Sequence, residues 1–214
     1  MDTVIYERQK SLGIYPPNAV SIVGCGGVGA WVAADLAMAG VERFTLFDDD
    51  TLKMHNINRV PFGPKDVGKP KTLVLKNFIK RIRANTRIYS VGKFSDITKR
   101  LLDSVVVDCT DKLRVQRALY KECKARGWCY YRVGYDGHHI TIIDGQHTNA
   151  PKVEKVWEDG SGQEGYTIVA SWVVPPQIAA ALVTDAICRE CLNHGRINGR
   201  PPLTTDIEKL WYTR

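Results

Sequence analysis

Short apolar runs alternate with helical stretches along the chain. Runs rich in β-branched and aromatic residues predict strands, and apolar residues that recur every three or four positions predict helices. The predicted strands are 20–23, 43–47, 87–91, 104–109, 128–133 and 139–143. The predicted helices are 30–39, 70–83, 95–102, 112–126 and 177–193, after a short N-terminal helix within 1–14. Such alternation indicates an α/β sheet whose strands are mostly parallel.

The remaining stretches predict an arm, loops and a tail around one domain that spans 1–214. Pro16 and Pro17 end an N-terminal helical arm over 1–17. The interval 51–69 lacks periodicity and predicts a loop. The polar, glycine-rich interval 145–166 predicts a crossover loop. The tail over 195–214 is expected to pack loosely.

Composition and charge leave several partner classes open. Hydrophobic residues make up 44% of the chain and charged residues 25%, which is typical of soluble globular proteins. The net charge of +7 suits nucleic acid or an acidic protein partner, but does not identify either. The densest basic clusters, 80–83 and 121–126, lie within predicted helices, where a solvated helix face is favoured. We therefore see no direct indication of nucleic-acid binding.

No targeting or membrane segment is predicted. Residues 1–13 lack the apolar core of a signal peptide. The most apolar stretch, 168–187, is interrupted by two prolines and an aspartate, which argues against a membrane span. We therefore expect a cytoplasmic protein whose six cysteines are reduced.

A glycine turn after the first strand carries the strongest local signal. Gly24, Gly26, Gly27 and Gly29 follow the strand and open the next helix, as the dinucleotide fingerprint requires. Glycines let the backbone approach phosphate oxygens, and the helix N-terminus supplies amide donors. Asp48, at the end of the second strand, is placed to bind ribose hydroxyls. These features indicate a nucleotide site, and an NAD-dependent oxidoreductase is compatible with them.

Five motifs together resemble the ThiF/MoeB/HesA family, which is related to the ubiquitin-activating enzymes. In chain order they are the glycine turn, the acids ending at Asp50, Asn56-Ile-Asn-Arg59, Gly68-Lys-Pro-Lys71 and Asp108-Cys-Thr-Asp111. The match covers about 5–145. The resemblance implies a Rossmann-like, doubly wound, mostly parallel sheet with an antiparallel extension, in three α/β/α layers. It also implies that the protein is an adenylyltransferase using ATP and Mg²⁺.

The resemblance assigns roles to individual residues. Arg59 and Lys71 are expected to contact the phosphates, with Asn56 as a polar contact beside them. Asp111, at the carboxyl end of a parallel strand, is expected to bind Mg²⁺. Asp48 and Asp50 complete the predicted nucleotide site. Placement and charge neutralisation are what adenylation of a carboxylate requires.

The N-terminal arm carries a candidate for a shared site. The segment Tyr6-Glu7-Arg8-Gln9 resembles the family's Arg-Tyr-x-Arg-Gln segment, with Ile5 in place of the first arginine. In relatives the second arginine reaches the triphosphate of the neighbouring subunit. The resemblance therefore implies a homodimer in which Arg8 acts across the interface. The alternative is that Arg8 only decorates a surface helix.

The cysteines do not predict zinc. Many relatives close a structural zinc site with two C-x-x-C pairs, whereas this chain has only Cys188-Arg-Glu-Cys191. The crossover loop contains no cysteine, which makes the chain resemble relatives that stop at the acyl-adenylate. Cys188 or Cys191 remains an alternative acceptor, although two packed thiols are favoured.

The leading hypothesis is adenylation of the C-terminal carboxylate of a small ubiquitin-like or sulfur-carrier protein. A variant of the same chemistry activates a small molecule, a peptide terminus or a modified tRNA base. The alternatives from other classes are an NAD-dependent oxidoreductase and a catalytically silent partner subunit. An oxidoreductase leaves Arg59, Lys71 and Asp111 without a joint purpose, and a silent subunit has no chemical need to keep them.

Overall fold

Strands from along the whole chain form one mixed sheet in the computed structural model, which describes residues 4–145, 170–190 and 203–206. The strands are β1 Ala19–Val23, β2 Arg43–Phe47, β3 Arg87–Gly92, β4 Val105–Asp108, β5 Cys129–Asp136, β6 His139–Asp144 and β7 Leu203–Asp206. Their order across the sheet is β3-β2-β1-β4-β5-β6-β7. The first five are parallel neighbours, and β6 and β7 extend the sheet in antiparallel fashion. The predicted fold class is confirmed.

Five α-helices lie in the described part of the chain: α1 Glu7–Ser11, α2 Gly27–Ala39, α3 Lys71–Ile82, α4 Leu113–Arg126 and α5 Val174–Glu190. Helices α2, α3 and α4 connect parallel strands, whereas α1 precedes β1 and α5 lies between β6 and β7 along the chain. Shorter 3₁₀ segments are Val4–Tyr6, Met54–Arg59, Pro64–Asp66 and Thr98–Leu101. The helix predicted at 95–102 is therefore a single 3₁₀ turn, and the loop predicted at 51–69 contains two such segments.

Both faces of the sheet are covered, which explains why several strands are apolar without strict alternation. One face buries Val20, Ile22, Phe44 and Val107 with the apolar residues of α2, α3 and α5. The other face buries a second set of apolar residues: Val23, Phe47, Val106, Leu119, Tyr130 and Ile143. The three predicted layers follow from these two cores.

A buried polar network joins β1 and β2 to the chain that enters β4. The Asp103 carboxylate accepts hydrogen bonds from the hydroxyls of Ser21 at 3.2 Å and Thr45 at 2.8 Å. It also accepts two from the Arg43 guanidinium, at 2.8 and 3.1 Å. The Asp103 amide in turn donates to Ser21 Oγ at 2.7 Å. Because each buried polar group has a partner, the network stabilises the sheet without leaving an uncompensated charge.

Two terminal segments differ from the predictions. Helix α1 ends at Ser11, and its Gln9 side chain donates to the Ala39 carbonyl at 2.8 Å, which fastens the arm to the far end of α2. The prediction of a loosely packed tail is wrong for Leu203–Asp206, because this segment pairs with β6 along the sheet edge. Within the described ranges, no helix has the length and apolarity needed to cross a bilayer.

The partly buried carboxyl group of Asp35 makes the stability of the protein depend on pH. It lies half-buried on α2, the helix against which α5 packs. Burial raises its pKa from 3.8 to about 6. Because the folded state then binds the proton more tightly than the unfolded chain does, the free energy of unfolding falls as the pH rises through this window and stays lower above it.

Asp35→Asn should remove this penalty. We expect a rise in Tm of a few degrees at pH 7.5, equivalent to about 1 kcal/mol once the screening of a half-exposed side chain is allowed for. The difference from the unsubstituted protein should disappear near pH 4. Thermal unfolding from pH 4 to 8 measures both. The control is Asp96→Asn, whose side chain is 99% exposed, and matching Tm profiles for the two variants would contradict the prediction.

Candidate functional site

The glycine turn packs its backbone against neighbouring main chain. Gly24 has a φ of +92°, and a Cβ added there would lie 2.8 Å from the Cys109 carbonyl oxygen. A Cβ added at Gly29 would lie 1.8 Å from the Gly24 carbonyl oxygen. The turn therefore runs directly along the end of β4 and under the first turn of α2. The first N–H groups of a helix have no acceptor within it, so these amides are available to an anion.

Asp48 holds the glycine turn to the end of β2. Its Oδ2 accepts the Cys25 amide at 2.7 Å, and its Oδ1 accepts the Asp50 amide at 2.8 Å. Burial raises the pKa of Asp48 above its ordinary value. Each carboxylate oxygen can still accept a second hydrogen bond. The carboxylate therefore lies beside the predicted phosphate cradle with acceptor capacity for ribose hydroxyls.

Two lysines pair with the other acids of the 48–50 run. Lys71 Nζ, at the start of α3, lies 2.8 Å from Asp50 Oδ2, and the Lys71 amide donates to the Asp50 carbonyl at 3.0 Å. Lys112 Nζ, just before α4, lies 3.4 Å from Asp49 Oδ1. The hydrogen bond from Lys71 lowers the pKa of Asp50. Carboxylate oxygens of the three acids come within 4.8 Å of one another.

Arg59 lies over the glycine turn. Its Cδ would be 3.4 Å from a Cβ added at Gly27. Its guanidinium donates to the His55 carbonyl at 2.8 Å and to Asn58 Oδ1 at 3.2 Å, and the Trp31 indole donates to the Arg59 carbonyl at 3.0 Å. The 3₁₀ segment thus places the stem of Arg59 beside the first residue of α2, and its contact with phosphate stays a prediction.

Tyr135 was missed in the sequence and contacts the same turn. Its hydroxyl oxygen would be 3.3 Å from a Cβ added at Gly27, and it forms a short hydrogen bond with Ser171 Oγ. Asn58 Nδ2 donates to the Ser171 carbonyl at 2.8 Å. The chain that enters α5 is therefore attached both to β5 and to the segment that carries Arg59. Partners 36 residues apart leave no periodic signal in the sequence.

Two acids lie at the end of β4, of which Asp108 is buried and Asp111 is exposed. Asp108 is fully buried and accepts hydrogen bonds from the Tyr130 hydroxyl at 2.8 Å and from the Thr110 amide and hydroxyl. Burial raises its pKa despite these bonds. Asp111 is exposed and lies outside the group formed by the carboxylates of 48–50. Its predicted role in binding Mg²⁺ stays a prediction.

Two further predicted site residues have different surroundings. Asn56 is buried, and its Oδ1 accepts the Lys53 amide at 3.0 Å, so part of its side chain stabilises the local turn. Its phosphate contact stays a prediction. Arg8 is exposed on α1, which packs at Ala39 near the end of α2. Because α2 is about 18 Å long, Arg8 lies far from the glycine turn of its own chain.

The cysteines in the described part of the chain are buried or partly buried thiols. Burial raises the pKa of Cys188 to about 11 and that of Cys123 to about 12. Burial also raises the pKa of Cys25 and of Cys109. A high pKa leaves little thiolate at neutral pH, which favours packing over catalysis. Cys191 lies outside the described residues, so the pairing of Cys188 with Cys191 stays untested.

Known proteins are similar to this chain over much of its length. A model of the ThiF family matches residues 9–202. The tRNA threonylcarbamoyladenosine dehydratase of Escherichia coli K12 is 32% identical over 150 residues, covering 67% of this chain and 56% of that protein. Ubiquitin-like modifier-activating enzyme 5 of Gallus gallus is 26% identical over 206 residues, covering 84% and 52%. This chain therefore spans about half of the length of these relatives.

A solved structure has the same fold. The crystal structure of E. coli MccB with ATP superimposes with a TM-score of 0.73 at 20% identity, covering 95% of this chain and 63% of that one. At this identity the similarity establishes the shared fold.

Gly29→Ala tests the close approach in the glycine turn. The added methyl meets the Gly24 carbonyl oxygen, so we expect the free energy of unfolding to fall by about 3 kcal/mol. The urea midpoint, at an unchanged m-value, measures it. Gly26→Ala is the matched control, since no atom lies within 4 Å of the added Cβ. Equal midpoints for the two variants would show that the turn can relax.

Proposed function

This chain belongs to the ThiF family, and we propose that it binds ATP and adenylates a carboxylate. The observation that carries the proposal is the convergence of Asp48, Arg59 and Lys71 around the amide-lined start of α2. A ribose-binding acid, two cations and free helix amides at one strand edge are what a nucleoside triphosphate requires. An NAD-dependent oxidoreductase does not need the two cations together.

The nucleotide is proposed to lie along this edge of the sheet. Asp48 accepts the ribose hydroxyls, and Gly24, Gly26, Gly27 and Gly29 leave room for the phosphates at the helix N-terminus. Arg59 and Lys71 neutralise phosphate charge, with Asn56 as a polar contact. The carboxylate oxygen of the substrate attacks the α-phosphorus, the bond from that phosphorus to the bridging oxygen breaks, and pyrophosphate leaves.

The acids at this edge fit a Mg²⁺ ion. Mg²⁺ takes oxygen ligands and is usually bound by one or two carboxylates together with phosphates. Asp111 is exposed beside the end of β4. Asp50 is one of the three acids 48–50, whose carboxylate oxygens lie within 4.8 Å of one another. We propose that Asp111 would hold the ion, which would supply positive charge beside the phosphates.

The proposed substrate is the C-terminal carboxylate of a small ubiquitin-like or sulfur-carrier protein. Relatives named for ubiquitin-like modifier activation support this choice. Other relatives are named for a tRNA modification, and MccB has been solved with the peptide MccA. A peptide terminus or a modified tRNA base is therefore the alternative within the same chemistry.

ATP–pyrophosphate exchange tests the reaction and the roles together. With Mg²⁺ and a carrier bearing a free C-terminus, we expect exchange in the unsubstituted protein and none in Asp111→Ala. Arg59→Ala and Lys71→Ala should each lower the rate about 10²-fold, because each removes charge stabilisation. The control is Lys65→Ala, an exposed cation on the Pro64–Asp66 segment. Unchanged exchange in Asp111→Ala would remove its role. No exchange with any carrier, despite ATP binding, would favour the peptide or tRNA substrate.

Mixed subunits test the proposed homodimer. Because the arm that carries Arg8 packs at the end of α2 opposite the glycine turn, we propose that Arg8 acts in the site of the neighbouring subunit. Mixing equal amounts of Arg8→Ala and Asp111→Ala protein, each inactive alone, should restore about a quarter of the activity. Half of the dimers are then mixed, and each mixed dimer has one complete site. If no activity returns although mass measurements show mixed dimers, the site is not shared.

A further inference from the structure

Lys112 is a cation at the strand edge to which the proposed reaction assigns no role. It follows Asp111 directly and precedes α4, and its Nζ lies 3.4 Å from Asp49 Oδ1. The two side chains are 60% and 40% exposed. An ion pair this open to water contributes little to stability and forms or breaks easily. The contact with Asp49 therefore sets where the Lys112 ammonium group lies, but another anion can displace Asp49 easily.

The surroundings of Asp49 place Lys112 at the nucleotide edge. The neighbouring Asp48 binds the Cys25 amide in the glycine turn, and the neighbouring Asp50 binds Lys71. On the other side, the Thr110 amide nitrogen lies 3.2 Å from the position of a Cβ at Gly24. Lys112 therefore lies close to the glycine turn by two routes. One runs through Asp49 and its neighbour Asp48, and the other runs through Thr110 at the end of β4.

We propose that Lys112 binds the β- and γ-phosphates of the nucleotide, and that Asp49 holds it in the nucleotide-free state. This inference rests on the proposed ATP site. A polyphosphate carries several negative charges and accepts charge-assisted hydrogen bonds, so it competes well for an ammonium group held by one exposed carboxylate. The flexible four-carbon stem of lysine allows the transfer.

The two partners of the ion pair should act in opposite directions. Removal of Lys112 takes away a ligand of the polyphosphate and weakens binding. Removal of Asp49 frees Lys112 and strengthens binding. Asp49 also repels the phosphates by its own charge, so the diagnostic quantity is whether its effect depends on Lys112. Where the two residues act through one contact, the effects of their substitutions are not additive.

Isothermal titration calorimetry with AMPCPP, in EDTA and without any acceptor, measures these effects. We expect Lys112→Gln to raise the Kd about tenfold and Asp49→Asn to lower it several-fold. In the Lys112→Gln background, the gain from Asp49→Asn should largely disappear. AMP, which lacks the β- and γ-phosphates, should bind the unsubstituted protein and Lys112→Gln with the same Kd. Lys65→Gln is the control, since it removes one exposed positive charge elsewhere.

The outcomes separate this inference from the proposed function. If AMPCPP binds the unsubstituted protein and Lys112→Gln matches Lys65→Gln, the role of Lys112 is wrong and the ATP site stands. The role of Lys112 is also wrong if Asp49→Asn gives an equal gain in affinity in both backgrounds. If AMPCPP does not bind the unsubstituted protein, the proposed function fails, and the inference fails with it.

Discussion

The site depends on one steric constraint, the contact of the glycine turn with main chain on two sides. Gly24 leaves space for the Cys109 carbonyl, and Gly29 leaves space for the Gly24 carbonyl. This approach aims the start of α2 at the crevice between β1 and β4. The strand order changes direction there, because the chain first adds β2 and β3 on one side of β1 and then β4 on the other. Ligands of open α/β sheets bind at such a switch point.

The carboxylates at the strand ends differ in burial, and the buried ones are satisfied by internal donors. Asp103 and Asp108 are buried, and several donors satisfy each of them, so their charge is used to join strands and loops. Asp49 and Asp50 are exposed and pair with Lys112 and Lys71. The Asp49–Lys112 pair is open to water on both sides, so it rearranges at little cost when a stronger anion arrives. A reaction that exchanges charges can therefore use an exposed acid of this kind at little cost.

The sequence predicted the features that depend on local patterns. The strand, turn and helix around Gly24 combine periodicity with glycine spacing, and Asp48 follows from its place after the second strand. Features that depend on distant contacts were not predicted. Tyr135 contacts the turn only because β5 ends beside it, and its hydrogen bond joins it to Ser171. Strand β7 is four residues long, and its pairing with β6 is set by the sheet edge and not by its own pattern.

Helix α2 connects the two ends of the molecule that matter for the proposed reaction. Its first turn lies at the nucleotide edge, and its last residues receive the N-terminal arm through the hydrogen bond from Gln9 to Ala39. Its middle is packed between the sheet and α5, so little movement is available along its length. Arg8, which is next to Gln9 in the arm, therefore lies near the end of α2 that is opposite the glycine turn of its own chain. A role for Arg8 in catalysis requires a second chain, whereas Asp48, Arg59 and Lys71 need only their own.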